Sequence, residues 1–593
     1  MKKLLSVLTA FLACAATAGA VEILDVEPGD GTLNDAINQY KGERIYRLQN
    51  GYNGYYTLTE TINNTGFDLT IIGGGEADAD DPKPDMPPTV QTSGPSGTVF
   101  AHMFDAYDDL TLRDIYFCNA SVDGIFNTEF FIYVGGNDVT VTVDGCTVDP
   151  SGNPIYVMGA RPEIYITNSL FNRLTNQTTS VNGPVNFLFS NNESGFEVLY
   201  LENNTLIGLS TSVFSDNTAA VKSGLTWINH NTFIHHKAQI DWIANQENFF
   251  FTNNLLYDCH VIPYDKTWIG GWDNYEVGNV SELLWSAPDE MIKDDGVDIE
   301  WGFDKMTSFV AYNIEFKNQE FFDNLDELYE WTASKGAACN MYFMPLVWDE
   351  DAPCHGIDLE TALANNPQYK IYNSAEYPNW RQGSNRYDID PTFNDTRIKE
   401  KSMILAQWVL PAVKKDYYTA YNDGDDSFTQ LDWYWDPDGD MGKNEAWPLF
   451  DGSYTNEEAM SFGIDGLPAG DLNWFPEKKA IWEANKDDIE AHIKALNLER
   501  MELGSVENVT STDLQVSLYP NPASDIINIA LDAMAENDAR IEIYSTVGQL
   551  VKAMNAGNGD VVARIDISDL AAGTYIYKVN CAGTAHSGIF IKK

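Results

Sequence analysis

The side chains best placed for joint chemistry are His235, His236, Lys237 and Asp241, a short cluster holding a base, a cation and an acid. Elimination at a uronate needs a basic group to take a proton and positive charge to neutralise the sugar carboxylate. His236, Lys237 and Asp241 are therefore the catalytic candidates, set against the plainer reading that they solvate a loop. Acidic surroundings would hold Lys237 protonated, a clamp for a sugar carboxylate more than a free base. Hydrolysis would need two carboxylates flanking a glycosidic bond, and 88 acidic residues single out no pair. Asp436, Asp438, Asp440 and Glu445, with a glycine between the last two aspartates, place oxygen ligands at alternate positions and could wrap calcium, or form an empty solvated turn. Trp268 and Trp272 lie in an excursion with Trp285 and Trp301. Exposed, such rings are platforms for sugar faces; buried, they fill gaps under long loops. No zinc spacing, phosphate loop, Gly-x-Ser-x-Gly elbow or dinucleotide fingerprint occurs.

The elements that must position these residues come from a weak repeat, apolar-x-apolar-x-Asn, followed by a second apolar strand. It reads Ile164-Tyr-Ile-Thr-Asn168, Leu199-Tyr-Leu-Glu-Asn203, Thr226-Trp-Ile-Asn-His230 and Phe249-Phe-Phe-Thr-Asn253, with Leu110 to Asp114 as an earlier copy. The second apolar residue of each copy marks a series: Ile71, Leu112, Val143, Ile166, Leu201, Ile228 and Phe251, at intervals of 41, 31, 23, 35, 27 and 23. Variable intervals with constant strands suit the coils of a right-handed parallel β-helix. Alternation predicts that the markers face inward, and that Phe117, Val148, Phe171, Leu206, Phe233 and Leu256, five residues further on, form a second inward row. The polar residue between the rows is the expected bend. Asn tolerates a left-handed backbone there and could bond its equivalent in the next coil, so Asn168, Asn203 and Asn253 are expected to form an asparagine ladder. Phe309-Val-Ala-Tyr-Asn313 is a further weak coil.

On this pattern residues 21–320 resemble the pectate-lyase-like β-helix superfamily, an architecture that does not fix function. Arg397-Ile-Lys399 resembles a polygalacturonase tripeptide, but the accompanying aspartate and histidine motifs are missing, so it carries no assignment. Beyond 320 the pattern changes to a mixed, partly helical region through 500: Glu320 to Ser334 reads as an amphipathic helix, Asp390-Pro-Thr-Phe393 as the close of a further coil, and Pro476 to Leu498 as a terminal helix. The stretch Gly463-Ile-Asp-Gly-Leu-Pro-Ala-Gly-Asp-Leu-Asn-Trp-Phe-Pro476 resembles one that recurs in exported β-helix proteins of Bacteroidetes. Residues 501–513 read as a polar linker.

From 514 to 593, Leu518-Tyr-Pro-Asn-Pro522, Ile526-Ile-Asn-Ile529, Ile541 to Gly548, Leu570 to Lys578 and Ile589-Phe-Ile-Lys-Lys593 read as short alternating strands separated by turns, a small β-sandwich. The ordered set resembles the type A C-terminal sorting domain of the type IX secretion system. That resemblance implies passage through the secretion machinery by residues 514–593, then an extracellular or outer-surface location. The opposite end agrees: Met1-Lys2-Lys3, an apolar stretch and Ala18-Gly19-Ala20 have the layout of a secretory signal over residues 1–20. Six cysteines follow it, with Cys339 and Cys354 the only close pair.

A net charge of -52 repels nucleic acid and anionic lipid, and no run is long enough to span a bilayer. Neutral glycans meet no such barrier. Two function classes remain: a carbohydrate-active protein that binds or cleaves an extracellular polysaccharide as lyase or hydrolase, or a non-enzymatic adhesin or coat protein. An open groove lined by basic and acidic residues, or by exposed aromatics, separates the first from the second.

Overall fold

A computed structural model describes residues 21–92, 101–121, 130–149, 153–174, 187–190, 195–208, 214–216, 222–236, 246–259, 291–294, 297–300, 307–323, 327, 380–407, 447–504, 516–519, 523–531, 539–545, 550–556, 562–568, 570–571, 573–581 and 584–593. The chain forms two compact units, Met1–Asn485 and Lys486–Lys593.

Among the described residues, the first unit is a parallel β-helix built on three sheets, of 11, 10 and 6 strands, whose neighbours are all parallel and come from successive coils. The marker residues form one continuous row: Ile71 pairs with Leu112, Leu112 with Val143, Val143 with Ile166, Ile166 with Leu201, Leu201 with Ile228, and Ile228 with Phe251. The second row is equally continuous, Phe117–Val148–Phe171–Leu206–Phe233–Leu256. Every residue of both rows is fully buried, so the period-2 alternation read from the sequence is the one the sheets adopt. The first row continues upstream to Tyr46 and downstream to Val310, which brings the weak coil at 309–313 into the stack. The second row ends differently. Glu315 takes the place after Leu256, buried beside the Lys317 ammonium at 3.4 Å.

The bends follow a different arrangement from the expected one. Asp114, Asn168, Asn203, His230 and Asn253, the last residues of the repeat, do adopt the left-handed backbone, with φ of 54 to 57°. The ladder, however, is formed by the residues one further on. The side-chain amide of Asn204 donates to Asn231 Oδ1 (2.9 Å), Asn231 to Asn254 (3.2 Å), Asn254 to Asn313 (3.0 Å) and Asn313 to Asn385 (3.0 Å). Each of these amides also donates to a marker carbonyl of the preceding coil, Ile166, Leu201, Ile228, Phe251 and Val310 in turn. The left-handed residue swings its own side chain outward, whereas the next one points into the bend, where unpaired backbone groups need a partner. Asn168 and Asn253 instead donate to Asp144 and Asn229, one coil back.

The Gly463–Pro476 stretch is a strap across the outside of these bends. The N–H of Ile464 and that of Gly470 donate to the side chain and the carbonyl of Asn253, 2.7 Å each. The N–H of Asp471 donates to Thr232 Oγ1 (2.9 Å), and Asn473 Nδ2 donates to the Asn203 carbonyl (2.8 Å). The strap thus spans three successive coils. Gly470 has φ of 84°, and a Cβ there would stand 2.5 Å from Thr232 Oγ1 and 2.9 Å from Leu255 Cβ, so only glycine lets the strap lie this close.

The expected terminal helix is two helices, Pro476–Ala484 and Lys486–Gly504, broken at Asn485 (φ -127°, ψ 16°). The expected helix at Glu320 is described only over Gln319–Asp323. The second coil-like feature, Asp390 to Phe393, pairs antiparallel with Tyr454 rather than closing a coil; the further coil is made by Trp380–Gly383, parallel to Thr307–Ala311. Cys146 and Cys259 are free core thiols, and Cys339 and Cys354 lie outside the described residues.

In the second unit, antiparallel sheets of three and four strands enclose one core. Ile527, Ile529 and Ile565 come from the first sheet; Ile541, Ile543, Tyr577, Val579 and Phe590 come from the second.

Candidate functional site

Of the sequence-derived cluster, His235 and His236 are buried. His235 adopts φ of 57° and is buried, its Nε2 2.8 Å from Ser402 Oγ. His236 is fully buried, its Nε2 3.2 Å from the Leu206 carbonyl and its ring edge-on to Phe233. It does not face a groove. Lys237, Asp241, Trp268, Trp272, Asp436, Asp438, Asp440 and Glu445 lie outside the described residues. Arg397 and Lys399 are paired with Asp395 and Glu320 on the surface. Among the described residues no group of three acids, histidines or cysteines could hold a metal ion.

Burial shifts several titrating groups beneath the strap and beside His235. Asp471, which accepts from Thr205 Oγ1 (2.8 Å) and from the N–H of Asn473 (2.9 Å), is pushed by burial up to about 7. Burial likewise pushes Asp258 up to about 7, although the N–H of Asn318 donates to it at 2.7 Å. His230 and His235 are pushed down by burial to about 4 and about 3. A carboxyl raised in the folded chain keeps its proton after the unfolded chain has lost it. Its stabilisation is therefore complete below about pH 4 and fades as the pH rises towards 7. The imidazoles act oppositely: their contribution is present above the ordinary value of 6.5 and is lost as the pH falls towards 4. The two pairs offset one another in that window. The double variant Asp258→Asn, Asp471→Asn should leave the imidazoles unopposed, so that its melting temperature climbs more steeply between pH 4.5 and pH 7 than that of the parent, by the equivalent of roughly 1 to 3 kcal/mol. Parallel pH profiles of the two proteins would contradict this assignment.

A second arrangement lies on the outer face of the six-stranded sheet. The strands His102–Ala106, Phe130–Val134 and Asn153–Val157 sit on consecutive coils, with Phe104, Ile132 and Ile155 in register and directed into the core. In the outward register Asp105 pairs with Tyr133 and Tyr133 with Tyr156, while His102 pairs with Phe130. The rings interleave from coil to coil: His102 stacks on Tyr133 (4.8 Å, 10°), Phe130 on Tyr156 (4.5 Å, 22°), and Tyr133 meets Tyr156 at 5.7 Å. Tyr107, 38% exposed, closes the strip 6.2 Å from Tyr133, and Met158, 39% exposed, follows Tyr156. Gly135 makes room for it, since a Cβ would stand 2.6 Å from the Tyr107 ring and 2.7 Å from the Tyr133 ring. Asp105 holds His102 Nδ1 at 2.7 Å and so fixes the imidazole plane. Burial first, and then the neighbouring Tyr107, Tyr156 and Asp105, raise the Tyr133 hydroxyl above its ordinary value, and Tyr107 is also its hydrogen-bond partner. The result, among the described residues, is a half-exposed strip of aromatic rings with one carboxylate and no lysine or arginine.

Sequence reasoning passed over this strip because the repeat was anchored on the first two sheets. One signal was available: Tyr133-Val-Gly-Gly136 and Tyr156-Val-Met-Gly159 are separated by 23 residues, the interval between the markers Val143 and Ile166.

The chain thus comprises a parallel β-helix unit and a separate unit that holds an antiparallel sandwich. Residues 517–593, the sandwich, match the family of the secretion system C-terminal sorting domain, so the protein is a type IX secretion client delivered to the cell surface or the extracellular space. Among solved structures, dimeric latent PorU from Porphyromonas gingivalis is similar at 18% identity, with a TM-score of 0.12, over 15% of this chain and 10% of that chain. No curated protein matches the chain. No helix of the described residues is long and apolar enough to cross a membrane.

Proposed function

We propose that this exported β-helix binds an extracellular polysaccharide through the aromatic strip of its six-stranded sheet. The observation that carries the reading is the outward row of Tyr107, Tyr133 and Tyr156, with His102 and Phe130 stacked between them. Tyrosine combines apolar contact area with a hydroxyl that can both donate and accept, which suits a sugar ring with its alternating C–H and O–H groups. Binding is favoured over cleavage at this face. Hydrolysis calls for two flanking carboxylates, and among the described residues the strip has Asp105 alone; elimination calls for a cation, and the described residues of the strip supply none.

The test is a screen of the purified protein on immobilised polysaccharides, with Tyr133→Ala and Tyr156→Ala as variants. Each is expected to weaken binding by about tenfold, the equivalent of 1.4 kcal/mol, without loss of folded structure by circular dichroism. An array on which nothing is retained would remove the proposal in favour of an adhesin or coat protein.

A further inference from the structure

We infer that the four-stranded sheet of the sorting sandwich docks on a protein of the secretion machinery through its outward face, by an apolar row that crosses all four strands. This is independent of the glycan reading above. The strands are Leu550–Ala556, Ala539–Ser545, Gly573–Cys581 and Thr584–Lys592, in that order across the sheet. Ile541, Ile543, Tyr577, Val579 and Phe590 point into the core, so alternation turns Tyr544, Ile576 and Ile589 to the other face. Register aligns them: Leu550 pairs with Tyr544, Tyr544 with Ile576 and Ile576 with Ile589, while Ile591 pairs with Thr574 two residues along. Among the described residues of this unit the exposed large hydrophobics are Leu550, at 45%, and Ile591, at 44%, and both belong to this face. Tyr544, Ile576 and Ile589 between them are half-buried. The rest of the face is polar: Glu542 pairs with Lys578, and Arg540 is held by Glu542 at 2.7 Å.

The occupant follows from what this unit does and from its charge. Residues 517–593 match the sorting-domain family, so this is the part of the chain that the machinery has to recognise. The row is also held rigid. The N–H of Ala523 donates to the Ile591 carbonyl and the N–H of Lys593 to the Ala523 carbonyl, 2.8 Å each, which ties the end of the chain to the segment leading into the other sheet. A pinned strand presents its side chains with little ordering left to lose on binding. A second copy fits poorly. Residues 514–593 hold eight acidic and six basic residues, close to balance, but the whole chain carries -52, and pairing this face with itself would bring two strongly acidic bodies together. The partner that fits is an apolar protein patch bordered by acidic groups opposite the exposed Lys578.

The experiment expresses the full chain in cells that carry the type IX machinery, as the parent, as the double variant Leu550→Ser, Ile591→Ser, and as Leu550→Asn alone. The control is Ala553→Ser with Asn555→Ser, two exposed positions that pair with Glu542 and Arg540 on the polar part of the same face. Exposed substitutions of this kind change stability little, which thermal melts of the purified chains check. Surface labelling is expected to fall about fivefold or more in the double variant and about twofold in the single one, with the control at the level of the parent. Should the double variant melt early, the single variant carries the test. Folded variants delivered as well as the parent overturn the docking face, and a deletion of 514–593 that still blocks delivery in the same cells shows that the sorting role survives that failure. An equal loss in the control overturns the assignment to the apolar row. Dimers of the purified parent in sedimentation that the double variant dissolves overturn the machinery as occupant in favour of a second copy.

Discussion

Replacing Ile166 or Leu201 by aspartate should unfold the coils around it, with a loss of about 3 to 5 kcal/mol or more. Ile166 sits between Val143 and Leu201 in the marker row, and Leu201 between Ile166 and Ile228; all four are fully buried. A carboxylate at either place has no partner to compensate its desolvation, and its neighbours on both sides are apolar. Because each coil is stabilised by the coils beside it, the defect spreads to the adjacent rungs instead of remaining a local cavity. Thr142→Asp is the matched control. Thr142 lies one residue before Val143 and faces outward, in register with Tyr165, so its substitution should cost less than about 1 kcal/mol. Thermal melts that rank Thr142→Asp as damaging as Ile166→Asp would contradict the alternation.

Deleting residues 514–593 should abolish delivery to the surface and leave the remainder trapped inside the cell envelope. The deleted segment contains the whole region that matches the sorting-domain family, and it has its own core around Ile527, Ile541, Val579 and Phe590. The β-helix core is assembled from residues between Val26 and Val310, so it loses no side chain by the deletion. Fractionation and surface labelling of cells expressing the full and shortened chains give the readout. A shortened chain labelled at the surface as strongly as the full one would refute the sorting role.

Legibility in the sequence depended on how far apart the interacting residues are. The two inward rows could be assigned residue by residue, from Ile71 to Phe251 and from Phe117 to Leu256, because alternation within a five-residue strand is a local property that burial of one face enforces. The left-handed bends at Asn168, Asn203 and Asn253 were legible for the same reason. The sandwich strands were also readable from turns and alternation.

The ladder was misplaced by one residue. Asn203 and Asn204 have the same composition, and only the direction of each side chain in the stacked bend decides that Asn204 reaches Asn231. The candidate site was less legible still. His235 and His236 have the residue types of a reactive loop, but Ser402, 167 residues away, receives His235 in the interior. Strap contacts such as that of Asn473 with Asn203 join residues 270 apart, and the tyrosine strip exists only because coils bring Tyr107, Tyr133 and Tyr156 side by side. The sequence by itself therefore determined the parallel coils, their inward register and the export module, because each is written in local periodicity. Which polar residues are buried and which aromatic rings meet at the surface was decided only by tertiary structure, because burial and ring contact are set by which coils the fold stacks together and which distant segment covers them.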